Sequence, residues 1–241
     1  MTLLPVVCKI LGRIVIDRIR VGIDCRLREE QAGFRSGRGT TEQVFILCSI
    51  LEQVNEWQAP LYIHFVDFEK AFDSVHRSSL WVIMKQYGIP QKIINTVKEL
   101  YDGFECAVVD EEATSEWFKI TAGVKQGCTM LGFLFLLTID WIMRHTVKGQ
   151  GTGLRWKFTS KLGDLDFADN VALLSSTQRH VQLKTDRLLE NAERTGPRVN
   201  VDKYKVMRVN ARNNEAITMN GLAGEDVENF TYLTATVCKQ G

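Results

Sequence analysis

Two carboxylates in this sequence each adjoin a short apolar run, and together they could bind divalent metal ions. Asp67 ends the run Leu61–Val66, whose aromatic and branched side chains are typical of a buried strand. Asp169 lies at the tip of a predicted hairpin, between the apolar segments 165–167 and 171–174. A carboxylate beside a buried strand is costly unless it is paired, protonated or bound to a cation. We therefore expect the two residues to converge.

The chemistry that such a pair can perform is metal-assisted phosphoryl transfer. Carboxylates at neighbouring strand ends supply the oxygen ligands that Mg²⁺ prefers, and they leave positions for water and phosphate. Two such ions, about 3.5 to 4 Å apart, clamp the attacking and leaving oxygens of an in-line displacement. For either segment alone, the commoner role of a strand-end aspartate is that of a solvated cap or turn residue.

The elements that must position these carboxylates follow an α+β pattern. Helices are predicted over 8–20, 41–57, 78–87, 91–102, 129–147 and 177–194. Hairpins are predicted at 105–121 and around Asp169, and short strands near Val199 and over 205–209 and 232–237. Thr40 and Gln43 match a capping box for the second helix. This order predicts an α+β sheet with helices on one face.

A basic, glycine-containing loop, residues 33–39, precedes the helix predicted at 41–57. Backbone N–H groups at the start of that helix, with Arg35 and Arg38 nearby, can hold a phosphate. A loop of this kind more often serves only to begin a helix. Both interpretations stay open at this point.

The composition is that of an ordinary globular chain. The 241 residues include 30 basic and 29 acidic side chains, for a net charge of +1, so overall charge does not indicate nucleic acid. No Cys-x-x-Cys pair occurs among the six cysteines, which predicts reduced core thiols in a nuclear or cytoplasmic protein. The first residues lack the basic leader of a signal peptide. The apolar run Met130–Met143 is too short to span a membrane and contains Asp140.

Several unusual strings, in a fixed order, carry a resemblance to a known family. They are Glu30–Arg38 (EQAGFRSGR), Phe65–Asp73 (FVDFEKAFD), Gly123–Cys128 (GVKQGC), Phe167–Asp169 (FAD) and Asn200–Lys203 (NVDK). With them, the chain resembles the reverse transcriptases of non-LTR (LINE-type) retrotransposons over nearly its whole length. The resemblance implies a polymerase palm, with a ferredoxin-like antiparallel sheet, and partial fingers without a thumb. It assigns residues 1–60 to the fingers and 61–241 mainly to the palm.

The resemblance also implies roles for individual residues. Asp67 and Asp169 would bind two Mg²⁺ ions, with Mn²⁺ as an alternative, and Lys203 would lie near the leaving pyrophosphate. Asn170 occupies the position of the family's second acidic residue and is counted with the catalytic group. The implied nucleotide-binding residues are Phe68, Phe72, Gln126, Gly127, Arg35 and Arg38. The implied partners are an RNA template, a DNA primer and a deoxynucleoside triphosphate.

Two of these roles compete with simpler ones, and the chain departs from the family pattern. By spacing alone, Phe72, the implied steric gate against a 2′-OH, is more readily a core residue, and Lys203 a surface residue. Asn170 replaces a carboxylate with a neutral amide, Gly132 stands where proline is usual, and Thr234 where glycine is usual. These changes predict an impaired polymerase. The alternatives are a non-catalytic nucleic-acid-binding remnant, or a decayed fragment without a role.

Overall fold

The computed structural model of the protein describes residues 5–110, 113–125, 127–149, 151–155, 161–213 and 215–240. Its helices are α1 Val6–Asp24, α2 Thr40–Glu56, α3 Ala71–Ser74, α4 Arg77–Gln86, α5 Gln91–Tyr101, α6 Leu131–Val147 and α7 Gln178–Thr195. Each of the longer helices overlaps one predicted from apolar periodicity. Throughout the part of the chain that the structure describes, none of them is long and apolar enough to cross a membrane.

A five-stranded sheet forms the centre of the fold. Its strands are β1 Leu61–Val66, β9 Asp164–Phe167, β10 Asn170–Ser175, β12 Lys205–Val209 and β15 Glu225–Asp226, in the order β15-β12-β1-β10-β9. The sheet is antiparallel except for the edge pair β12–β15, which is parallel. Strand β1 has a partner on each side and all six of its residues are buried, which explains its continuous apolar sequence.

The remaining strands form short antiparallel pairs around this sheet. They are β2 Phe68–Glu69 with β11 Arg198–Val199, β3 Glu105–Cys106 with β6 Phe118–Lys119, β4 Val109–Asp110 with β5 Ala113–Thr114, β7 Leu154–Arg155 with β8 Lys161–Leu162, β13 Thr218–Met219 with β14 Leu222–Ala223, and β16 Asn229–Tyr232 with β17 Ala235–Cys238. The hairpin predicted at 105–121 is therefore present, divided into two short pairs.

The side chains of β1 alternate between two apolar cores. Tyr62 and Val66 face the larger core, to which α4, α5, α6 and α7 contribute. Ile63 and Phe65 face a second core, where α2 and the hairpin β16–β17 cover the sheet. Helices α6 and α7 thus lie on one face as expected. The opposite face also carries a helix, because α2, which the resemblance assigns to the fingers, packs there.

The predicted capping box at the start of α2 is wrong. Gly39 is the N-cap residue of α2, and no side chain caps the helix there. The Nε2 atom of Gln43 instead donates to the carbonyl oxygen of Glu30, at 3.3 Å. At the start of α7, Thr177 does act as a cap and accepts the backbone N–H of His180 at 3.3 Å.

Candidate metal and nucleotide site

Asp67 and Asp169 lie at the same end of the central sheet. Asp67 directly follows β1, and the β1–β10 register pairs Val66 with Val171, so Asp67 lies beside the first residue of β10, Asn170. Asp169 belongs to the turn between β9 and β10. Burial raises the pKa of Asp169 above its usual value, and the nearby Asp67 carboxylate raises that pKa further. Two carboxylates that repel each other in this way form a site that favours a bound cation.

The turn after β11 brings Lys203 to the same place. Its Nζ lies 3.6 Å from Asp67 Oδ2, although 68% of the lysine side chain is exposed. The backbone N–H of Asn200 donates to the carbonyl oxygen of Asp67 at 2.9 Å. The Asn200–Lys203 segment therefore packs directly against the backbone of the first carboxylate. An exposed ion pair of this kind contributes little to stability, so Lys203 can turn towards another anion at small cost.

The segment 31–33 determines the position of the hairpin tip that carries Asp169. Gln31 is fully buried, and its Oε1 accepts the N–H of Gly33 at 2.8 Å and of Ala168 at 3.2 Å. Ala168 has a left-handed backbone, with φ of 56°. A Cβ on Gly33 would lie 2.7 Å from Ala168 Cα, so only glycine allows this close approach.

Sequence reasoning assigned no role to Gln31 or Gly33. The available signal was that Gln31 is followed by two small residues, Ala32 and Gly33, in one of the strings that carry the resemblance. Two small residues in succession can accompany a close contact between two backbone segments, but the pattern does not indicate which segment makes that contact with Gly33.

A buried charge cluster lies behind the hairpin tip. Arg28 donates to Asp164 at 2.5 Å and to Asp166, and its backbone N–H donates to Asp140 Oδ1 at 2.9 Å. Burial and the neighbouring Asp164 raise the pKa of Asp166 well above its usual value, against the lowering effect of Arg28. Because Asp164 and Asp166 belong to β9, this cluster ties the strand before Asp169 to the connection between α1 and α2.

Phe72 is half-buried between two other aromatic rings. Its ring centroid lies 4.4 Å from that of Phe135 and 6.2 Å from that of Phe34, which it meets edge to face. The Phe34 ring also occupies the space beside Gly132, where an added Cβ would lie 2.5 Å from Phe34 Cδ1. The glycine at this position, where the resemblance implies proline, therefore accommodates Phe34 in this chain.

The glycine turn that begins at Gly123 is bonded to the segment that contains Phe72. The N–H groups of Val124 and Gly123 donate to the carbonyl oxygens of Phe72 and Val75, at 2.8 and 2.9 Å. Gly127 has φ of 78°, a conformation that favours glycine. Gln126 lies outside the described residues.

Arg77, to which sequence reasoning gave no role, binds the backbone of the segment that leads into this turn. Its guanidinium donates to the carbonyl oxygens of Gly123 at 3.0 Å, Ile120 at 2.7 Å and Ala122 at 3.2 Å. The guanidinium carbon also lies 5.0 Å from the centroid of the Tyr101 ring. Arg77 thus fixes the backbone just before the predicted nucleotide-contacting turn.

The structure places the two predicted phosphate-binding arginines differently. The Arg35 guanidinium makes five hydrogen bonds, to the Asp24 carboxylate and to the backbone oxygens of Asp24, Arg28 and Gln31. Its side chain is only 6% exposed. These bonds occupy the donor capacity of a guanidinium, so Arg35 fixes its own loop, and a nucleotide contact would have to replace some of them.

Arg38, by contrast, is exposed and donates to the carbonyl oxygen of Glu29 at 2.8 Å. The ring of Phe68 is buried in the larger core at 4% exposure, so any contact that Phe68 makes with a ligand must come from its backbone.

The donor atoms at Asp67 and Asp169 suit a hard cation. Nowhere in the described ranges do three or more His, Cys, Asp or Glu side chains come close enough to hold a metal ion by themselves. Mg²⁺ is commonly held by one or two carboxylates, with water and substrate phosphate completing its coordination. Asn170, whose Nδ2 lies 3.5 Å from Asp169 Oδ1, can add a neutral carbonyl oxygen but no charge.

Comparison with known proteins identifies the family. Residues 1–237 match the family model described as reverse transcriptase (RNA-dependent DNA polymerase). The chain belongs to the reverse transcriptase family. The resemblance that the sequence motifs carry is therefore confirmed.

Curated relatives of this reverse transcriptase chain include proteins of non-LTR retrotransposons from Drosophila. It is 28% identical over 193 residues to the Pol polyprotein of the retrotransposable element R2DM of Drosophila melanogaster, covering 80% of this chain and 18% of that protein. It is 27% identical over 192 residues to the RNA-directed DNA polymerase of the mobile element jockey of Drosophila funebris, covering 78% of this chain and 20% of that protein. The chain thus spans about a fifth of the length of these relatives.

Solved structures support the fold. Apo telomerase of Candida tropicalis, truncated from the C-terminal domain, superposes with a TM-score of 0.69 at 15% identity, over 95% of this chain and 44% of that one. The expected palm with partial fingers agrees with this likeness.

Proposed function

We propose that the chain carries the nucleotidyl-transfer site of an RNA-directed DNA polymerase. In this reaction the 3′-OH of a DNA primer, paired to an RNA template, attacks the α-phosphate of a deoxynucleoside triphosphate, and pyrophosphate leaves. The observation that carries the proposal is the meeting of Asp67 and Asp169 at one end of the sheet, within a reverse transcriptase chain.

Each residue of the site has a part in this reaction. Asp67 and Asp169 would hold two Mg²⁺ ions, or Mn²⁺ in their place, and a bound ion would offset phosphate charge and favour ionisation of the primer hydroxyl. Lys203, next to Asp67, would turn to the triphosphate and stabilise or protonate the leaving pyrophosphate. Asn170 would contribute an uncharged oxygen beside Asp169.

The nucleotide would lie on the side of Phe72 and the glycine turn. The Phe72 ring, held by Phe34 and Phe135, would contact C2′ of the sugar and exclude a 2′-OH. Gln126, Gly127 and the backbone of Phe68 would contact the base, sugar or phosphates. Arg38 would meet template or triphosphate, and Arg35 would support the loop that carries it.

The cysteines suggest where this reaction would take place. All six are free thiols, but none lies fully in the core as predicted, because five are partly buried and Cys25 is exposed. That state suits a reducing compartment, which supports activity in the nucleus or cytoplasm.

Primer extension tests the proposal. Purified chain, RNA template, DNA primer, deoxynucleotides and Mg²⁺ should give elongated primer, and Asp67→Asn should abolish it. Asp17→Asn, which changes an exposed aspartate on α1, is the matched control and should leave extension unchanged. Because Asn170 adds no negative charge to offset that of a bound ion, Asn170→Asp should raise the extension rate.

A second candidate function follows from Asn170. The uncharged amide favours a chain that binds nucleic acid without catalysis. Absence of metal-dependent extension in both the unmodified chain and Asn170→Asp would refute polymerase activity of this chain. Salt-sensitive binding of RNA–DNA duplex, weakened by Arg38→Ala and indifferent to Asp67→Asn, would then support the binding function.

A further inference from the structure

A groove opens at the end of the sheet opposite to the Asp67–Asp169 site. It is a cavity of about 550 Å³. Its walls include Ile50, Gln53, Val54, Trp57, Arg155 and Lys161. We refer to it as the Trp57 groove. Pro60 precedes β1 and also lines the groove, whereas Asp67 follows the other end of β1. At about 3.4 Å per residue, that strand separates the two places by roughly 20 Å.

An exposed aromatic ring stands at the edge of this groove. Trp57 is 74% exposed, although its backbone N–H is bonded to the carbonyl oxygen of Gln53 at 3.0 Å, at the end of α2. Beside it, the groove floor is formed by the apolar side chains of Ile50 and Val54, which are only 2% and 8% exposed. A large flat ring on an ordered backbone, next to an apolar recess, is suited to stack against another planar group.

Two cations that line the groove lie directly opposite each other on neighbouring strands. The β7–β8 register pairs Arg155 with Lys161, and both side chains are exposed. Like charges in a directly opposed pair repel each other, so an anion between them would relieve that repulsion. The Lys161 Nζ also donates to the carbonyl oxygen of Gly151 at 2.5 Å, which holds the lysine at the groove. No acidic side chain is among the described residues that line it.

We propose that the Trp57 groove binds single-stranded nucleic acid. One base stacks on Trp57 over the apolar floor, and the adjoining phosphates contact Arg155 and Lys161. Aromatic stacking combined with backbone cations is the usual way in which proteins hold single strands without sequence preference. An acidic peptide would satisfy the two cations but offers no planar group for Trp57. The choice of nucleic acid as the occupant rests on the function proposed above, while the site itself lies away from the polymerase centre.

Fluorescence anisotropy with a labelled oligo(U) of about 12 nucleotides tests the stacking part of the proposal. EDTA removes divalent ions, and excess unlabelled primer–template duplex occupies the polymerase cleft. Trp57→Ala should weaken binding about tenfold or more, and Trp57→Phe should retain most of it. Trp117→Ala is the matched control, because Trp117 is 70% exposed and does not line the groove, and it should not change binding.

Salt dependence tests the cationic part. Each phosphate contact on a single strand contributes about −0.7 to the slope of log K against log salt concentration. The double variant Arg155→Ala/Lys161→Ala should therefore reduce the magnitude of that slope by about 1.4. Lys92→Ala, which removes an exposed cation on α5, should leave the slope unchanged.

Several outcomes would overturn the proposal. One is oligonucleotide affinity that is the same in the unmodified chain, Trp57→Ala and the double variant. Another is displacement of oligo(U) by a polyglutamate peptide at equal charge concentration, which would make the groove a general anion site. Primer extension measured on the same preparations separates the two proposals. Groove-dependent binding without extension, in both the unmodified chain and Asn170→Asp, would refute only the polymerase. Extension with groove-independent binding would refute only the Trp57 groove.

Discussion

Substitution of Gly33 by alanine should displace the carboxylate of Asp169, although the new methyl group would contact Ala168 and not Asp169 itself. The new Cβ would lie 2.7 Å from Ala168 Cα and closer still to Ala168 N, whereas Cβ atoms essentially never approach other heavy atoms within 3.0 Å. Both contacts are with backbone, so no change of rotamer can relieve them. Either the loop or the hairpin tip must move, by about 1 Å, and Asp169 is the next residue along the tip.

The size of the effect follows from the close packing at this contact. Overpacking costs about 1–3 kcal/mol, so the free energy of unfolding should fall by about 2 kcal/mol. For a chain of this length, such a loss lowers Tm by about 4–8 °C. A misplacement of about 1 Å can lower turnover by about 10²-fold, because the two proposed metal ligands, Asp67 and Asp169, would no longer hold their productive separation.

The assay is steady-state primer extension, with kcat and the KM for deoxynucleotide measured separately, alongside thermal unfolding. The Asn170→Asp background provides signal if the unmodified chain turns over slowly. Gly33→Ala should lower kcat far more than it changes KM. The matched control is Gly39→Ala, because nothing lies within 4 Å of a Cβ at Gly39 and its φ of −137° suits any residue.

Unchanged kcat and unchanged Tm in Gly33→Ala would refute the argument that segment 31–33 positions the hairpin tip. A large loss of Tm with normal kcat, measured well below the unfolding temperature, would show that the contact supports the fold but not the site.

Four further substitutions have expected outcomes. Thr234→Gly should raise the free energy of denaturant unfolding by about 1 kcal/mol, because Leu233 and Thr234 have φ of 50° and 74° in a two-residue turn that favours glycine. Burial lowers the pKa of His64 from 6.5 to about 3. Between pH 6.5 and 3 the imidazole is therefore protonated in the unfolded chain but not in the folded chain, so the free energy of unfolding falls by up to about 5 kcal/mol as pH decreases over that range. His64→Leu should flatten this acid dependence in denaturant titrations. Phe72→Val should lower the preference for deoxynucleotides over ribonucleotides in extension assays, and an unchanged preference would exclude a steric gate at this position. Arg77→Met should lower Tm and raise the KM for nucleotide, whereas a change in Tm alone would make Arg77 purely structural.

The parts of the fold that sequence could predict are those set by local pattern. Apolar periodicity located the long helices, and the branched and aromatic run before Asp67 located the central strand. The hairpin around Asp169 followed from two apolar segments separated by a short polar turn. These signals depend on each segment burying one face or both, and they do not depend on which partner buries it.

What the sequence could not show depends on contacts between distant segments. The amphipathic pattern of α2 does not say which face of the sheet it covers. The capping box failed because Gln43 has a partner outside its own helix, the carbonyl of Glu30. Arg35 looks like a free phosphate ligand in a basic loop until α1 places Asp24 beside it. The requirement for glycine at position 33 cannot be predicted without knowing that the Ala168 backbone lies against it.

The sheet order has a consequence for how the site comes into being during synthesis. Strand β1 leaves the ribosome before both of its neighbours, β10 and β12, which lie much later in the chain. Until β10 and β12 emerge, the backbone hydrogen-bonding groups on both edges of β1 are unpaired. This slows folding and allows β1 to pair with a strand of another chain. A nascent product released after α7 would thus expose one edge of β1 and lack the lysine beside its aspartate. Translation through β12 is therefore a condition for assembling the proposed site around Asp67 and Asp169.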